Sequence, residues 1–511
     1  MNLRAVLWLL GRVILVLAVF ELVPGFVALF NGEREDALGF ALSALASAAA
    51  GLLLCFRNRR ATMTAEGRPD FFRREGLAAV GLAWIAIPIF GALPYLITAE
   101  IPSPVDALFE STSGFTTTGS SILQPSQIDA LPAGVAFYRN FTNWLGGIGI
   151  VLVFVLLFPT GGRSLFRSEV PGISREAGAR RVRDSAFGLV KIYCGLTGIL
   201  VACLLLAGLT AYEAAVHAFA TIATGGFSNH GASVAHFGSW PVEAILALFM
   251  FLSGINFALY DPFLNGRWSV GLRQIWRSTE TRVYTAITLS LVVLITFVLW
   301  FWGGSNGLPE RPAYSEAGAP IPDYSSLALA FRDALFSVVT VQTTTGFATA
   351  DFNVWPEFCR LALMLAGLVG GCAGSTSGGL KVIRLAIVVR SAVLVVQRFA
   401  RPRAVQGVRL DGFLVEDGLV AATTAFFGLF CLVLAASSLA LAAMGLELVE
   451  AASGAVACLS NVGPALGSLG PAGSFADVPT LGKVLLSLLM VLGRLEFYAI
   501  VVLLVPRFWR S

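Results

Sequence analysis

Four times in this chain a short run of small and hydroxyl residues closes on a glycine in the midst of apolar sequence. TTTGS, ATGGF, TTTGF and SNVGP align on Gly119, Gly226, Gly346 and Gly463. Before each run lies a segment of about ten residues with apolar positions at helical spacing and an acid near its start: Asp106, Glu213, Asp333 and Glu450. An acid there suits the positive end of a helix dipole. Such a segment is far shorter than the roughly 20 residues that cross a bilayer as a helix, so each reads as a half-helix entering a membrane and ending at its small-residue run. Non-helical backbone at membrane depth is tolerated only where it is buried in protein or lines a watery path. Four such runs in one chain therefore imply one shared cavity.

The membrane itself follows from composition. Of the 511 residues, 56% are hydrophobic and 13% charged, against roughly half apolar and a quarter charged in soluble domains. Stretches such as Val6 to Phe30, Leu38 to Phe56, Leu77 to Ile97, Phe137 to Phe158 and Tyr284 to Trp302 are long enough to span. The length of the chain allows about ten spans in all. The first stretch is long, lacks a small-residue cleavage site and runs at once into a second, so it is expected to be mature structure rather than a signal peptide. The net charge of +4 does not point to nucleic acid, because the basic residues fall in clusters between spans: Arg57 to Arg74, Arg163 to Lys191, Arg267 to Arg282, Arg384 to Arg403, and Arg507 with Arg510. The positive-inside rule places these segments, and with them the N-terminus, in the cytoplasm. Loops carrying Glu33, Glu35, Asp36, Glu100, Glu310, Glu316 and Asp323 fall on the other side.

The chain divides into an N-terminal helix pair and cytoplasmic loop (1–75) and four units of span, half-helix, small-residue run and span: 76–184, 185–282, 283–412 and 413–511. The predicted fold is an all-α polytopic membrane protein with two leading helices and four such repeats around one pore. Glycine takes backbone angles that aim successive carbonyls in one direction, and a ring of carbonyls can replace the water around a potassium ion. Half-helix C-termini add partial negative charge behind a cation; an anion path would want the opposite polarity.

These repeats, together with RNFTNWLGGIGI after the first run, GGCAGSTSGGLKVIR in the third unit and GRLEFY in the last span, resemble the membrane subunits of Trk potassium uptake systems, in the TrkH/KtrB/HKT superfamily. The likeness covers essentially the whole chain, and the leading helix pair is nearer to TrkH than to KtrB. It implies a homodimer of pores in a bacterial inner membrane, in contact with lipid, and a cytosolic nucleotide-binding regulatory subunit of TrkA type. Carried over by position, it implies potassium contacts at the main-chain carbonyls of Thr117, Thr118, Thr224, Gly225, Thr344, Thr345, Asn461 and Val462, beside Gly119, Gly226, Gly346 and Gly463. Ala223 stands where the other runs have a hydroxyl or amide, and Val462 and Pro464 set the fourth run apart, which argues against fourfold-identical ion sites.

Two features interrupt otherwise apolar spans. GLVGGCAGSTSGGLKVIR, residues 367–384, carries too many glycines and hydroxyls for a stable helix. Lys381 does not complete a GxxxxGK[ST] phosphate loop. Close helix packing through small residues and a flexible segment beneath the filter both fit. The resemblance implies the latter, a gate built from Gly370, Gly371, Gly374, Ser375, Thr376, Ser377, Gly378, Gly379 and Lys381. Arg494 sits in LLMVLGRLEFYAIVVLLV, where a charge must face a cavity or a partner. Glu496, two residues on, lies on another helix face. A salt bridge to a different helix and a pore-facing charge below the filter both remain open; the resemblance favours the pore-facing charge as part of the gate.

The leading function is potassium-selective, channel-like, low-affinity uptake with no organic cofactor. The alternative is a secondary transporter with broken helices carrying an organic substrate or sodium, which would favour two discontinuous helices in inverted halves over four same-direction runs. No nucleophile, base and metal set indicates an enzyme. The seven cysteines have no CxxC spacing, and His217, His230 and His236 lack the spacing of a metal motif, so packing and loop roles are expected of them.

Overall fold

A computed structural model describes residues 2–58, 73–157, 175–303, 324–400 and 407–509. The basic segments at 59–72 and 158–174 and the acidic Glu310, Glu316 and Asp323 lie outside the described residues. Among the described residues six helices are long and apolar enough to span: Leu3–Phe30, Arg34–Asn58, Arg74–Ile97, Ala186–Leu206, Thr279–Gly303 and Asp417–Ala443. These are the two leading helices and the first span of each of the four units. Their outward faces expose Val19, Phe26, Leu45, Leu53, Leu289, Val293, Leu432 and Leu439, the large apolar side chains that a lipid-facing surface carries and water-soluble surfaces avoid gathering.

The leading pair packs backbone to backbone. A Cβ on Gly11 would come within 2.8 Å of the Gly51 carbonyl, and one on Gly51 equally close to that of Gly11, the small-residue contact common between membrane helices. Glu21, fully buried in this pair, accepts from Ser43 and Ser47, each at 3.3 Å.

The half-helices are Pro104–Phe115, Ala211–Ala223, Leu327–Gln342 and Leu448–Ser460. Their starts are specified locally. Ser103 caps the first, with proline in its first turn, and Thr210 with Glu213 forms a capping box on the second. Their ends share one geometry. The amides of Thr117, Thr224, Thr344 and Asn461 donate three residues back, to Gly114, Thr221, Val341 and Cys458. The next amides, those of Thr118, Gly225, Thr345 and Val462, each donate five residues back at 2.8 Å. This pair of bonds is the Schellman helix stop, which requires a left-handed residue between helix and loop. Glycine usually takes that place; here it is Thr117, Thr224, Thr344 and Asn461, with φ of 52°, 54°, 59° and 55°.

Among the described residues the second span is broken in the second, third and fourth units, as the sequence led one to expect only for the third. In the second unit Trp240–Ser253 and Phe257–Leu264 meet at a 102° bend. In the third, helix stops at Val369 and resumes at Val382. In the fourth it stops at Arg494, and Glu496 and Phe497 adopt φ of 53° and 64°. Arg494 is thus the last residue of a helix, not the middle of a span. The third break is legible in its glycines, whereas Leu495–Phe497 contains neither glycine nor proline.

Candidate functional site: a ring of four loops

After its left-handed residue each loop passes one residue and reaches its glycine, with φ of 84° at Gly119, 70° at Gly226, 86° at Gly346 and 102° at Gly463. Side chains are strained there. These glycines also mark where neighbouring loops touch. A Cβ on Gly119 would fall on the Gly225 carbonyl, one on Gly226 on that of Thr345, one on Gly346 on that of Val462, and one on Gly463 within 2.8 Å of that of Thr118. The sequence of contacts runs from loop one to two, three, four and back to one. The four loops therefore close a ring, with the carbonyls of Thr118, Gly225, Thr345 and Val462 at the contacts between them.

Side chains hold the ring from behind. In the first loop the hydroxyls of Thr116 and Thr118 are 2.7 Å apart, and Thr343 with Thr345 repeats this in the third at 2.8 Å. The Asn461 amide donates to Thr118 Oγ1 and to the Met490 carbonyl, both at 2.9 Å, joining the fourth loop to the first. Ser120 adds a bond to the Gly463 carbonyl at 2.8 Å. The second spans approach through small residues: a side chain at Gly146 would strike the Phe115 carbonyl, and one at Gly493 the Leu459 carbonyl.

Behind the first loop, Glu110 and Arg139 form an ion pair at 2.8 Å with both side chains essentially fully buried. Glu110 also accepts from Ser121 at 3.0 Å and from the Ile122 amide at 3.1 Å, while Arg139 reaches the Ser228 carbonyl of the second loop at 3.1 Å. Neither residue was singled out by sequence pattern, since they lie 29 positions apart on different helices. Removing one member strands a buried charge, at a cost of about 3 to 5 kcal/mol. Arg139→Met is expected to lower the melting temperature sharply in the absence of any transported ion, and an unchanged melting curve would contradict this.

Beneath the ring, the glycine-rich break joins all the units whose second spans are broken. The Cys372 amide donates to the Gly254 carbonyl at 2.9 Å, and the Phe257 amide to Gly374 at 3.0 Å, locking the break to the bend of the second unit. Thr376 donates through Oγ1 to the Ile222 carbonyl at 3.0 Å, in the last turn of the second half-helix. The Gly378 amide donates to Thr344 Oγ1 at 2.6 Å, touching the ring itself. Gly370 and Gly379 pack against one another, Gly371 packs against Ser377, whose hydroxyl is 2.7 Å from that of Ser375, and Lys381 folds back onto the Ser377 carbonyl.

Arg494 contacts this break. Its Nη1 donates to the Thr376 carbonyl at 2.6 Å, and its Nε and Nη2 have no acceptor among the described residues. The salt bridge left open by the sequence is not made: among the described residues Arg494 has no carboxylate partner. Glu496 pairs instead with Arg384 of the third unit.

The ring and its supports belong to a multi-pass, predominantly helical membrane protein of two leading helices and four span, half-helix, span units around one centre, whose only strands among the described residues are the short pair Arg409–Leu410 and Phe413–Leu414. Residues 52–511 match the family model TrkH, described as a cation transport protein. The chain is 35% identical over 517 residues to the Trk system potassium uptake protein TrkH of Escherichia coli, with all of both chains covered. It is 34% identical to the Trk system potassium uptake protein TrkI of Halomonas elongata, over 99% of this chain and 96% of that one. The crystal structure of the potassium transporter TrkH from Vibrio parahaemolyticus superposes with a TM-score of 0.86 at 32% identity, over the whole of both chains. The chain belongs to the TrkH family of cation transport proteins, a transport family and not a family of enzymes.

Proposed function

We propose that this protein conducts potassium through the ring, as a channel-like, low-affinity uptake path in a bacterial inner membrane. The observation that carries this reading is the closure of the ring, loop to loop, at one carbonyl and one glycine per contact. In the proposed path the carbonyls of Thr117, Thr118, Thr224, Gly225, Thr344, Thr345, Asn461 and Val462 replace ion hydration. Gly119, Gly226, Gly346 and Gly463 allow that approach, and four half-helix C-termini contribute partial negative charge. The half-helix N-termini face outward and the N-terminus lies in the cytoplasm. A membrane potential of ~100 mV supplies about 2.3 kcal/mol per charge, enough for roughly fifty-fold accumulation without a coupled ion.

The glycine-rich break, with Gly370, Gly371, Gly374, Ser375, Thr376, Ser377, Gly378, Gly379 and Lys381, is the proposed gate, held across the path by Arg494. A TrkA-type cytosolic nucleotide-binding subunit would act on it from the cytoplasmic side, and two such chains would pair as a homodimer. The names of the relatives support potassium as the cargo.

Thermal melting of the purified protein at equal concentrations of potassium, rubidium, sodium and lithium chloride tests the reading. An ion bound at ~100 times its dissociation constant stabilises by about 2.7 kcal/mol. Potassium and rubidium are expected to raise the melting temperature well above sodium, and sodium above lithium. Equal shifts for all four salts would overturn the proposal. A transporter of organic substrate would show no such ranking.

A further inference from the structure

The chain holds three histidines, and the fold stacks all of them beside the second loop. His217, fully buried on the second half-helix, has both ring nitrogens engaged, Nδ1 with the Glu213 carbonyl at 2.9 Å and Nε2 with the Ser228 hydroxyl at 3.2 Å. His230 and His236 lie above it with ring centroids 3.6 Å apart and planes within 6° of parallel. Glu213 Oε1 is 3.4 Å from His230 Nε2. One donor atom from each of Glu213, His230 and His236 lies within 4.8 Å of the other two. Sequence spacing does not reveal this group, because a short 3-10 turn, Ser233–Phe237, returns His236 over His230.

The carboxylate is already oriented. Its Oε2 accepts from the Thr210 amide at 3.0 Å and hydroxyl at 2.7 Å in the capping box, which leaves Oε1 turned to His230. Two imidazoles and one carboxylate form a donor set suited to zinc, nickel or copper(II), with a fourth position for water. Magnesium and calcium prefer all-oxygen shells. Parallel rings cannot both aim lone pairs at one ion, so one must turn. His236 is the exposed member and is free to do so.

We propose that Glu213, His230 and His236 form a binding site for one zinc-class divalent ion on the face that carries the half-helix N-termini. Such an ion ties the start of the second half-helix to the segment leaving its loop. The His230 amide donates to Ser228 Oγ at 3.0 Å, two residues beyond Gly226. The turn is also tied to the third loop, since the Ala235 amide donates to the Ala348 carbonyl at 3.1 Å and the Ala348 amide to Ser233 Oγ at 3.2 Å. The site stands on these residues whether or not the ring conducts potassium.

Isothermal titration of chelator-stripped, full-length protein in detergent with zinc chloride provides the test. The wild type is expected to take up one zinc per chain and no magnesium or calcium at the same concentrations. His236→Ala removes an exposed side chain, and Glu213→Gln preserves the capping box; each is expected to weaken zinc binding about tenfold or more. Zinc captured by the exposed Cys194 or Cys431 would survive both substitutions. Absence of saturable zinc uptake by the wild type, or binding unchanged in both variants, would overturn the assignment.

Discussion

Gly346→Ala is expected to reduce the preference for potassium over sodium by about tenfold or more, a change equivalent to ~1.4 kcal/mol. The position has φ of 86°, and an added Cβ would fall on the Val462 carbonyl and 2.9 Å from Pro464 Cδ. Neither neighbour yields easily: one is backbone and the other part of a ring. Backbone strain at such a residue costs roughly 1 to 3 kcal/mol, enough to push the Val462 carbonyl from its place. Ion-replacement flux in proteoliposomes measures the ratio. A variant that folds, conducts and keeps its full selectivity would remove Gly346 from the ion path.

Arg494→Ala is expected to raise flux by about tenfold or more. At an effective dielectric of ~20, a unit charge opposes a cation by about 4 kcal/mol at ~4 Å and half that at twice the distance. In the proposed path Arg494 would contribute this charge at the glycine-rich break, whose Gly378 amide bonds Thr344 of the ring, and its partner there is the Thr376 carbonyl. Its loss also frees the Thr376 carbonyl of the break. Arg494→Lys retains the charge and is expected to keep flux low. Because no carboxylate among the described residues is stranded, the melting temperature of the alanine variant should fall only slightly. Unchanged flux in the alanine variant would exclude Arg494 from the path, and a large fall in stability would indicate a purely structural role.

The repeats, the half-helices and the ring glycines were legible because glycine and small hydroxyls are improbable inside apolar sequence without a reason. The left-handed threonines were not, since Thr117, Thr224 and Thr344 are β-branched and poorly suited to positive φ in isolation. The helix stop imposes that conformation through two backbone hydrogen bonds, and no side-chain pattern records it. The break after Arg494 was hidden for a related reason. Leu495, Glu496 and Phe497 carry no breaking residue, and the turn there is specified by what surrounds it, including Arg384 on Glu496. The expectation that Glu496 is no partner for Arg494 agrees with the structure, but through an interruption of the helix that the sequence did not signal. His236 was expected to have a packing or loop role because ligand spacing is a property of regular elements, and a five-residue 3-10 turn has no such register.

The junction between the fourth loop and the first has a consequence for biogenesis. Ser120 bonds the Gly463 carbonyl across 343 positions of sequence, and Lys483 meets Asp106 at 2.6 Å across 377. Asn461 is held at this junction by Met490, in the last long helix. A nascent chain therefore inserts three complete units with the first loop still lacking one neighbour, and the ring shuts only when the final helices leave the ribosome. Contacts of such sequence separation form slowly, so the exposed edges of the first and third units are where membrane chaperones and quality-control proteases would find an unfinished molecule.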